Sequence, residues 1–190
     1  MIYLSGVIRP ELPAMITPRM GQRPPEGQQW AADNGRFASP KDYTDDGYIS
    51  WLERMPRESC LFATLPDVVC DASTTQLMSV KLTGRIRRAG YRPAFVAQNG
   101  SELITEFIPW PWIDALFLGG DTDWKLGPGA RLVVKVAKDH GKWVHMGRVN
   151  SLKRLRYAAS IGVDSADGTV LKFDPKRDVA GWVRTVNAEA

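Results

Sequence analysis

Two aspartates follow short segments at which strands are expected to end. Asp33 comes directly after Gln29–Ala32, and Asp167 lies a few residues beyond Gly162–Asp164. Two carboxylates on separate strand ends can divide the work of displacement at an anomeric carbon, because one can serve as nucleophile and the other as acid or base. The chain has 21 Asp and Glu residues, so helix capping or a solvated turn is the competing interpretation of each.

A second set of polar and small residues could bind a planar base. Asp71 follows the apolar run Val68–Cys70, and it either caps the next helix or accepts hydrogen bonds from a ligand. An Asp would accept from the amino group and ring N–H of a purine, while Gln98 and a glycine N–H would donate to its carbonyl. Gly119 and Gly120 would let the backbone approach such a ligand closely, although an ordinary tight turn needs the same residues.

The elements that must position these residues alternate along the chain. This alternation, with polar or glycine residues past each strand end, predicts parallel βαβ units whose functional site lies at the carboxyl ends of the strands. A doubly wound sheet fits nearly as well as a barrel, but no phosphate-binding glycine motif follows the first strand. Strands are predicted to start near residues 2, 29, 61, 94, 113, 143 and 163, with a possible eighth around 169, and helices to cover about 42–54, 75–89, 128–140, 152–160 and 177–188.

Composition and charge narrow the function classes. The 190 residues are 44% hydrophobic and 24% charged, which predicts one domain, 1–190, of a soluble cytoplasmic protein without a signal peptide or membrane span. Two Cys and two His argue against a metal site.

The charge of the chain is unevenly distributed. Residues 1–124 hold 12 Lys and Arg against 15 Asp and Glu, net −3, while residues 125–190 hold 13 against 6, net +7. The basic part suggests a nucleic-acid partner, or else a solvated face. The candidate phosphate contacts are Lys125, Arg148, Lys153, Arg154, Lys172, Lys176 and Arg177.

Taken in order, the motifs resemble the queuine and archaeosine tRNA-guanine transglycosylases between about residues 29 and 175. Asp33–Phe37 resembles the family's Asp-Ser-Gly-Gly-Phe motif, and Val69–Asp71 lies where the family has a base-reading Asp. Further matches are Val96–Gly100 to a Val-Gln-Gly strand end, Leu118–Gly120 to a Gly-Gly turn, His145–Gly147 to Met-Gly, and Gly162–Asp167 to Gly-Val-Asp-x-Phe-Asp.

The resemblance implies a fold, a reaction and a set of residue roles. The fold would be α/β, a compact, trimmed TIM-like (β/α)8 barrel without a zinc subdomain, although such barrels typically take about 250 residues. The enzyme would be a pentosyltransferase that exchanges guanine in a polynucleotide for a 7-deazaguanine without a cofactor. Asp167 falls on the nucleophile that attacks ribose C1′ and Asp33 on the acid or base, while the base pocket would contain Phe37, Asp71, Gln98, Gly119, Gly120 and Met146.

Departures from the family pattern bear on the substrate. The Cys-x-Cys-x-x-Cys…His zinc insertion of the tRNA enzymes is missing, Ala166 and Gly168 replace the family's Phe and Cys, and Arg36 replaces a Gly. The chain looks most like the short phage and bacterial enzymes that place 7-deazaguanines in DNA. We therefore expect DNA rather than tRNA as partner, a base such as 7-cyano-7-deazaguanine, and the cytoplasm of a host if the protein is phage-encoded.

Two other functions fit the same residues. A non-catalytic DNA-binding protein on a degenerate barrel would keep the basic residues and lose the chemistry. A base-excising N-glycosylase would use the same carboxylates but pass the ribosyl group to water.

Overall fold

A computed structural model of the chain describes residues 1–189, which form a closed barrel of eight parallel strands with helices around it. The predicted α/β class and TIM-like barrel are confirmed. The strands are β1 (Ile2–Ser5), β2 (Ala14–Ile16), β3 (Trp30–Ala32), β4 (Cys60–Thr64), β5 (Pro93–Ala97), β6 (Ala115–Leu118), β7 (Trp143–Met146) and β8 (Ser165–Gly168).

The helices are distributed unevenly around the barrel, and this explains its small size. No α-helix separates β1 from β2 or β2 from β3 in the described residues; the second connection contains only a 3-10 turn at Pro18–Met20. The α-helices are α1 (Asp45–Glu53), α2 (Ala72–Arg88), α3 (Thr122–Leu126), α4 (Pro128–Asp139), α5 (Leu152–Ser160), α6 (Val170–Phe173) and α7 (Val179–Ala188).

Each strand pairs with the next along the chain, and β8 closes the barrel against β1. The register places Leu4 beside Asp167 and Phe117 beside His145. Laterally paired residues of a parallel ladder share a face, and Leu4 and Phe117 belong to the cluster inside the barrel. Asp167 and His145 therefore also face the barrel interior, and Asp167 does so at the carboxyl end of its strand.

The core has two layers, as expected for a barrel whose strands alternate inward and outward residues. The outer layer between strands and helices includes Trp30, Phe95, Leu116 and Met146, all buried. The smaller inner cluster consists of Leu4, Met15, Ala31, Phe62, Ala94 and Ala115. This apolar cluster packs inside the barrel together with the buried polar residues His145 and Ser165.

The structure corrects two strand predictions. No strand is predicted between those that start near residues 2 and 29, but the structure has the buried strand β2 there, which is too short to show an alternation pattern. The strand predicted around 169 is wrong, because Val170–Phe173 is helical; the last strand is Ser165–Gly168.

Helix termini follow the local sequence closely. Pro128 opens α4, where its missing N–H costs nothing, and the Ser151 hydroxyl caps α5 by accepting from the Arg154 N–H. The second helix begins at Ala72, three residues before the predicted start, because Asp71 is its N-cap. No helix of the described residues is long and apolar enough to cross a membrane.

Candidate active site at the carboxyl end of the barrel

A cavity of about 100 Å3 opens at the carboxyl ends of the strands. Both predicted catalytic carboxylates line it, although they are 134 positions apart in the sequence (33 and 167). Its other lining residues come from β4, β5 and β6 and from the connections after β3, β4, β6 and β7: Asn34, Phe37, Thr64, Asp67, Val69, Val96, Phe117, Gly119, Gly147 and Arg148.

A wider groove of about 430 Å3 lies on the other side of the Asn34–Gly35 turn. The segment 39–48 forms most of its wall, and Asp42 is the one acid among its lining residues. We place the candidate site at the smaller cavity because that cavity collects three carboxylates at strand ends.

Asp33 lies directly after β3 and is only partly accessible to solvent. One carboxylate oxygen accepts a hydrogen bond of 2.8 Å from the Gly35 N–H. Burial is the main cause that raises the pKa of Asp33, to about 6; Gly35 opposes the rise, and the negative charges of Asp167 and Asp67 add to it. A carboxyl group with such a pKa can hold a proton near neutral pH and is suited to general acid–base work.

Asp167 occupies the third position of β8, and its side chain is 18% exposed. One carboxylate oxygen lies 3.0 Å from His145 Nε2 on the neighbouring strand. Gly147, which follows that strand, packs close by: a Cβ on it would come within 2.8 Å of the Phe117 ring and 3.4 Å of Asp167 Oδ1. The absence of a side chain at position 147 thus keeps space beside the carboxylate.

Asp67 is a third acid in the cavity that the sequence analysis missed. It follows Pro66 in the loop after β4, and it accepts 2.7 Å from Gln98 Nε2 and 3.4 Å from Asn34 Nδ2. Burial raises the pKa of Asp67, while hydrogen bonds from Asn34 and Gln98 and the charges of Arg36 and Arg148 oppose the rise. Pro66 is the local signal that β4 ends before Asp67, because a proline cannot donate to the hydrogen bonds of a sheet.

The structure does not bring Asp71 to the cavity. Its carboxylate accepts 2.9 Å from the Thr74 N–H and 2.6 Å from the Thr74 hydroxyl, as the N-cap of α2. These hydrogen bonds lower the pKa of Asp71. The geometry thus corresponds to the capping alternative, and Asp67, four positions earlier, is the carboxylate that faces the cavity.

Gln98 is buried and supports the cavity from behind. Its Nε2 donates to Asp67 and its Oε1 accepts 3.0 Å from the Cys70 N–H. Gly119 also lines the cavity, and a side chain there would clash, because a Cβ would stand 2.5 Å from Val96 Cγ1 and 2.8 Å from Gln98 Nε2. The amide of Gln98 is therefore occupied within the protein, where it orients Asp67.

The remaining predicted base-pocket residues, Gly120 and Met146, do not line the cavity. Gly120 lies against the Trp124 ring and, like Gly119, donates its N–H to the Ala97 carbonyl, so neither glycine N–H is free for a ligand. Met146 pairs with Ala166 on the outer face of the barrel and packs under the helices instead of in the cavity.

Phe37 and Arg148 form the rim of the cavity. Phe37 is 65% exposed, and the guanidinium carbon of Arg148 lies 5.7 Å from the centre of its ring. Arg148 adopts a left-handed backbone conformation, φ +61°, and donates 2.9 Å and 2.7 Å to the carbonyls of Gly119 and Gly120. The cavity is thus lined on this side by an exposed aromatic ring and a guanidinium group.

The other predicted phosphate contacts divide into buried and exposed residues. Lys125 is 4% exposed, and its ammonium group donates 2.6 Å to the Gly147 carbonyl, so its prediction as a phosphate contact is corrected. Burial and the charge of Arg148 lower the pKa of Lys125 to about 8. Lys172 and Lys176 are exposed after β8, where Arg177 pairs with Asp174 at 2.7 Å.

Among residues 1–189, no group of three or more His, Cys, Asp or Glu side chains is arranged to hold a metal ion. Neither a scan against protein-family models nor a search of curated proteins finds a match to this chain. The transglycosylase resemblance therefore stays a prediction, and the residues of the cavity carry the functional argument.

Proposed function

We propose that the protein is a DNA guanine transglycosylase, which exchanges guanine for a 7-deazaguanine base through a covalent Asp167–ribosyl intermediate. The observation that carries the proposal is the pair Asp33 and Asp167 in one cavity, with different surroundings. Titratable pairs whose environments differ commonly divide acid and nucleophile roles. Asp33, with its raised pKa, is the acid–base group, and Asp167 is the nucleophile.

The exchange takes two displacements. In the first, Asp167 attacks C1′, the bond from C1′ to guanine N9 breaks, and the proton of Asp33 passes to the departing base. In the second, Asp33 takes the N9 proton of the incoming 7-deazaguanine, whose nitrogen attacks C1′ and displaces Asp167. The Asp33 proton and the Asp167 carboxylate are both restored, so one guanine leaves for each base that enters.

Asp67 is suited to read the edge of the base. A guanine or 7-deazaguanine presents an amino group and a ring N–H side by side, and a carboxylate accepts from both. Gln98 holds one oxygen of Asp67, and Asn34 reaches the other only at 3.4 Å, so acceptor capacity is left. We assign to Asp67 the base-reading role that the sequence analysis gave to Asp71.

A polynucleotide substrate fits the surroundings of the cavity. The target nucleotide must leave the base stack for its C1′ to reach Asp167, which costs a few kcal/mol. Arg148 at the rim and the exposed Lys172 and Lys176 after β8 are cations that could offset this cost by contacting phosphates. The missing zinc insertion favours DNA over tRNA only through the family resemblance.

The experiment is a base-exchange assay. Guanine-containing DNA is incubated with radiolabelled guanine or labelled 7-cyano-7-deazaguanine, and label in the DNA is counted for the wild type and for Asp167→Ala. We expect incorporation by the wild type and a loss of about 10³-fold or more in the variant. Asp139→Asn is the matched control, because Asp139 is an exposed acid on α4 that pairs with Lys135.

Other outcomes identify the alternatives. Abasic sites without incorporated label would show a base-excising glycosylase. Salt-sensitive DNA binding that survives loss of both Asp33 and Asp167, with no exchange, would show a non-catalytic DNA-binding protein. Either result overturns the proposal.

A further inference from the structure

A chain of polar side chains runs inside the barrel to Asp167; its members Ser165 and His145 are buried, and Trp143 at its far end is 38% exposed. Trp143 Nε1 donates 2.8 Å to the Ser165 hydroxyl, which lies 2.8 Å from His145 Nδ1. His145 Nε2 lies 3.0 Å from Asp167 Oδ1. His145 is fully buried, with the rings of Phe62 and Phe117 at 5.1 Å and 4.7 Å.

Counting donors and acceptors identifies the tautomer of His145 that satisfies all of these hydrogen bonds. An ionised Asp167 only accepts, so the proton shared with it belongs to His145 Nε2. The Ser165 oxygen already accepts from Trp143, and its own proton has an acceptor if His145 Nδ1 carries none. The neutral Nε2–H tautomer of His145 therefore satisfies every member of the chain.

The geometry points to His145 as a positioning residue for the Asp167 nucleophile, with its tautomer set by Ser165 and Trp143. The inference rests on the proposed function for its kinetic consequence. The rest of the inner cluster is Leu, Met, Phe and Ala, where an unpaired imidazole would cost free energy. The hydrogen bond to Oδ1 limits rotation of the carboxylate, so that Oδ2 can be held towards the cavity.

The kinetic test compares three variants in the base-exchange assay. His145→Phe keeps a ring between Phe62 and Phe117 but removes the donor, and we expect kcat to fall about 10²-fold with little change in KM for DNA. His145→Gln keeps an N–H that can reach Asp167, and we expect it to recover activity to within about 10-fold of the wild type.

Phe62→Leu is the matched control, because it changes the same buried layer without touching Asp167. Equal kcat values for His145→Phe and Phe62→Leu, or no recovery with Gln, would show that His145 only fills space.

A second measurement does not depend on catalysis. The chain has only two His, so 15N-labelled histidine gives two imidazole spin systems by NMR, and His140, stacked on Trp110, is the internal reference. We expect His145 as the Nε2–H tautomer, with ring signals that shift in Asp167→Ala and in Ser165→Ala while those of His140 stay.

The two measurements separate two kinds of failure. An Nδ1–H tautomer, or signals indifferent to Asp167→Ala, overturns the inference even in an active enzyme. The expected tautomer in a protein without base exchange would instead keep the contact and overturn the proposed function, and with it the kinetic role of His145.

Discussion

The two sides of the barrel mouth hold their carboxylates differently. On the β3–β4 side, Asp33 accepts from the Gly35 backbone and lies near Asp67 and Asp167, so burial and like charge favour its protonated form. On the β7–β8 side, Asp167 Oδ1 lies 3.0 Å from Nε2 of the buried His145. One side is thus arranged to keep a proton and the other to orient a carboxylate, which is the division that a two-step displacement requires.

Among the substitutions that test the difference between the two sides, the largest effect should come from removing the proton-carrying carboxyl group of Asp33. Asp33→Asn keeps an oxygen that can accept from Gly35 but cannot exchange a proton with the base. We expect kcat for base exchange to fall about 10²–10⁴-fold. If the variant retained full activity across the pH range, the β3–β4 side would not supply the acid.

Asp67→Asn should have the next largest effect, on binding of the base. The substituted amide keeps a single acceptor oxygen, which can still accept from Gln98, and loses the second acceptor that would face the base. A hydrogen bond to a charged group is worth about 1.5–3 kcal/mol, so we expect KM for the incoming base to rise about 10–10²-fold. Asp71→Asn, four positions away, keeps a good N-cap residue and should leave KM unchanged; equal effects of both variants would contradict the assignment.

The raised pKa of Asp33 also predicts that a variant without this carboxylate is more stable than the wild type at neutral pH. Because the folded state binds the Asp33 proton more tightly than the unfolded chain, stability falls as pH rises from about 4 to about 6, and the cost is fully present above that range. Asp33→Asn should therefore unfold with a free energy about 1–3 kcal/mol higher at pH 7, by urea denaturation. The gain should vanish below about pH 4; a constant gain at all pH values would have another cause.

The smallest effect concerns the cations around the mouth. Lys172→Ala and Lys176→Ala remove exposed charges, and each should reduce the slope of log K for DNA against log salt by about 1. Lys125→Met removes a buried ammonium group that donates to the Gly147 carbonyl. Because this group does not contact phosphates in the proposal, the variant should keep the wild-type slope. A reduced slope for Lys125→Met, with unchanged slopes for the two exposed lysines, would contradict the assignment of the phosphate contacts to Lys172 and Lys176.

The sequence predicted the regular part of the barrel best. From β6 to β8, each strand is followed by an α-helix, and local start signals are visible at Pro128 and Ser151. The strand β2 could not be found, because three residues flanked by Pro13 and Pro18 carry no periodic signal.

The site was predicted only in part, because side chains reach the cavity from strand ends and loops that the sequence pattern locates unequally well. Asp33 and Asp167 stand at the carboxyl ends of β3 and β8, whereas the apolar run Val68–Cys70 pointed to Asp71, which follows it, and not to Asp67, which precedes it. The sequence motif contains His145 only as the neighbour of Met146. Residues 145 and 146 alternate between the inside and the outside of the barrel, and only the register with β6 shows that residue 145 is the inner one. Lys125 is buried because α3 packs against the barrel, and a count of charges along the sequence carries no information about that packing.

The division between the two sides is tested most directly by capturing the intermediate. Wild-type protein is mixed with guanine-containing DNA without an added base, quenched in denaturant, and the protein–DNA adduct is digested and mapped by mass spectrometry. We expect an adduct whose ribosyl group is bonded to Asp167, absent in Asp167→Ala. No adduct under conditions in which exchange occurs, or an adduct on another residue such as Asp33 or Asp67, would contradict Asp167 as the nucleophile.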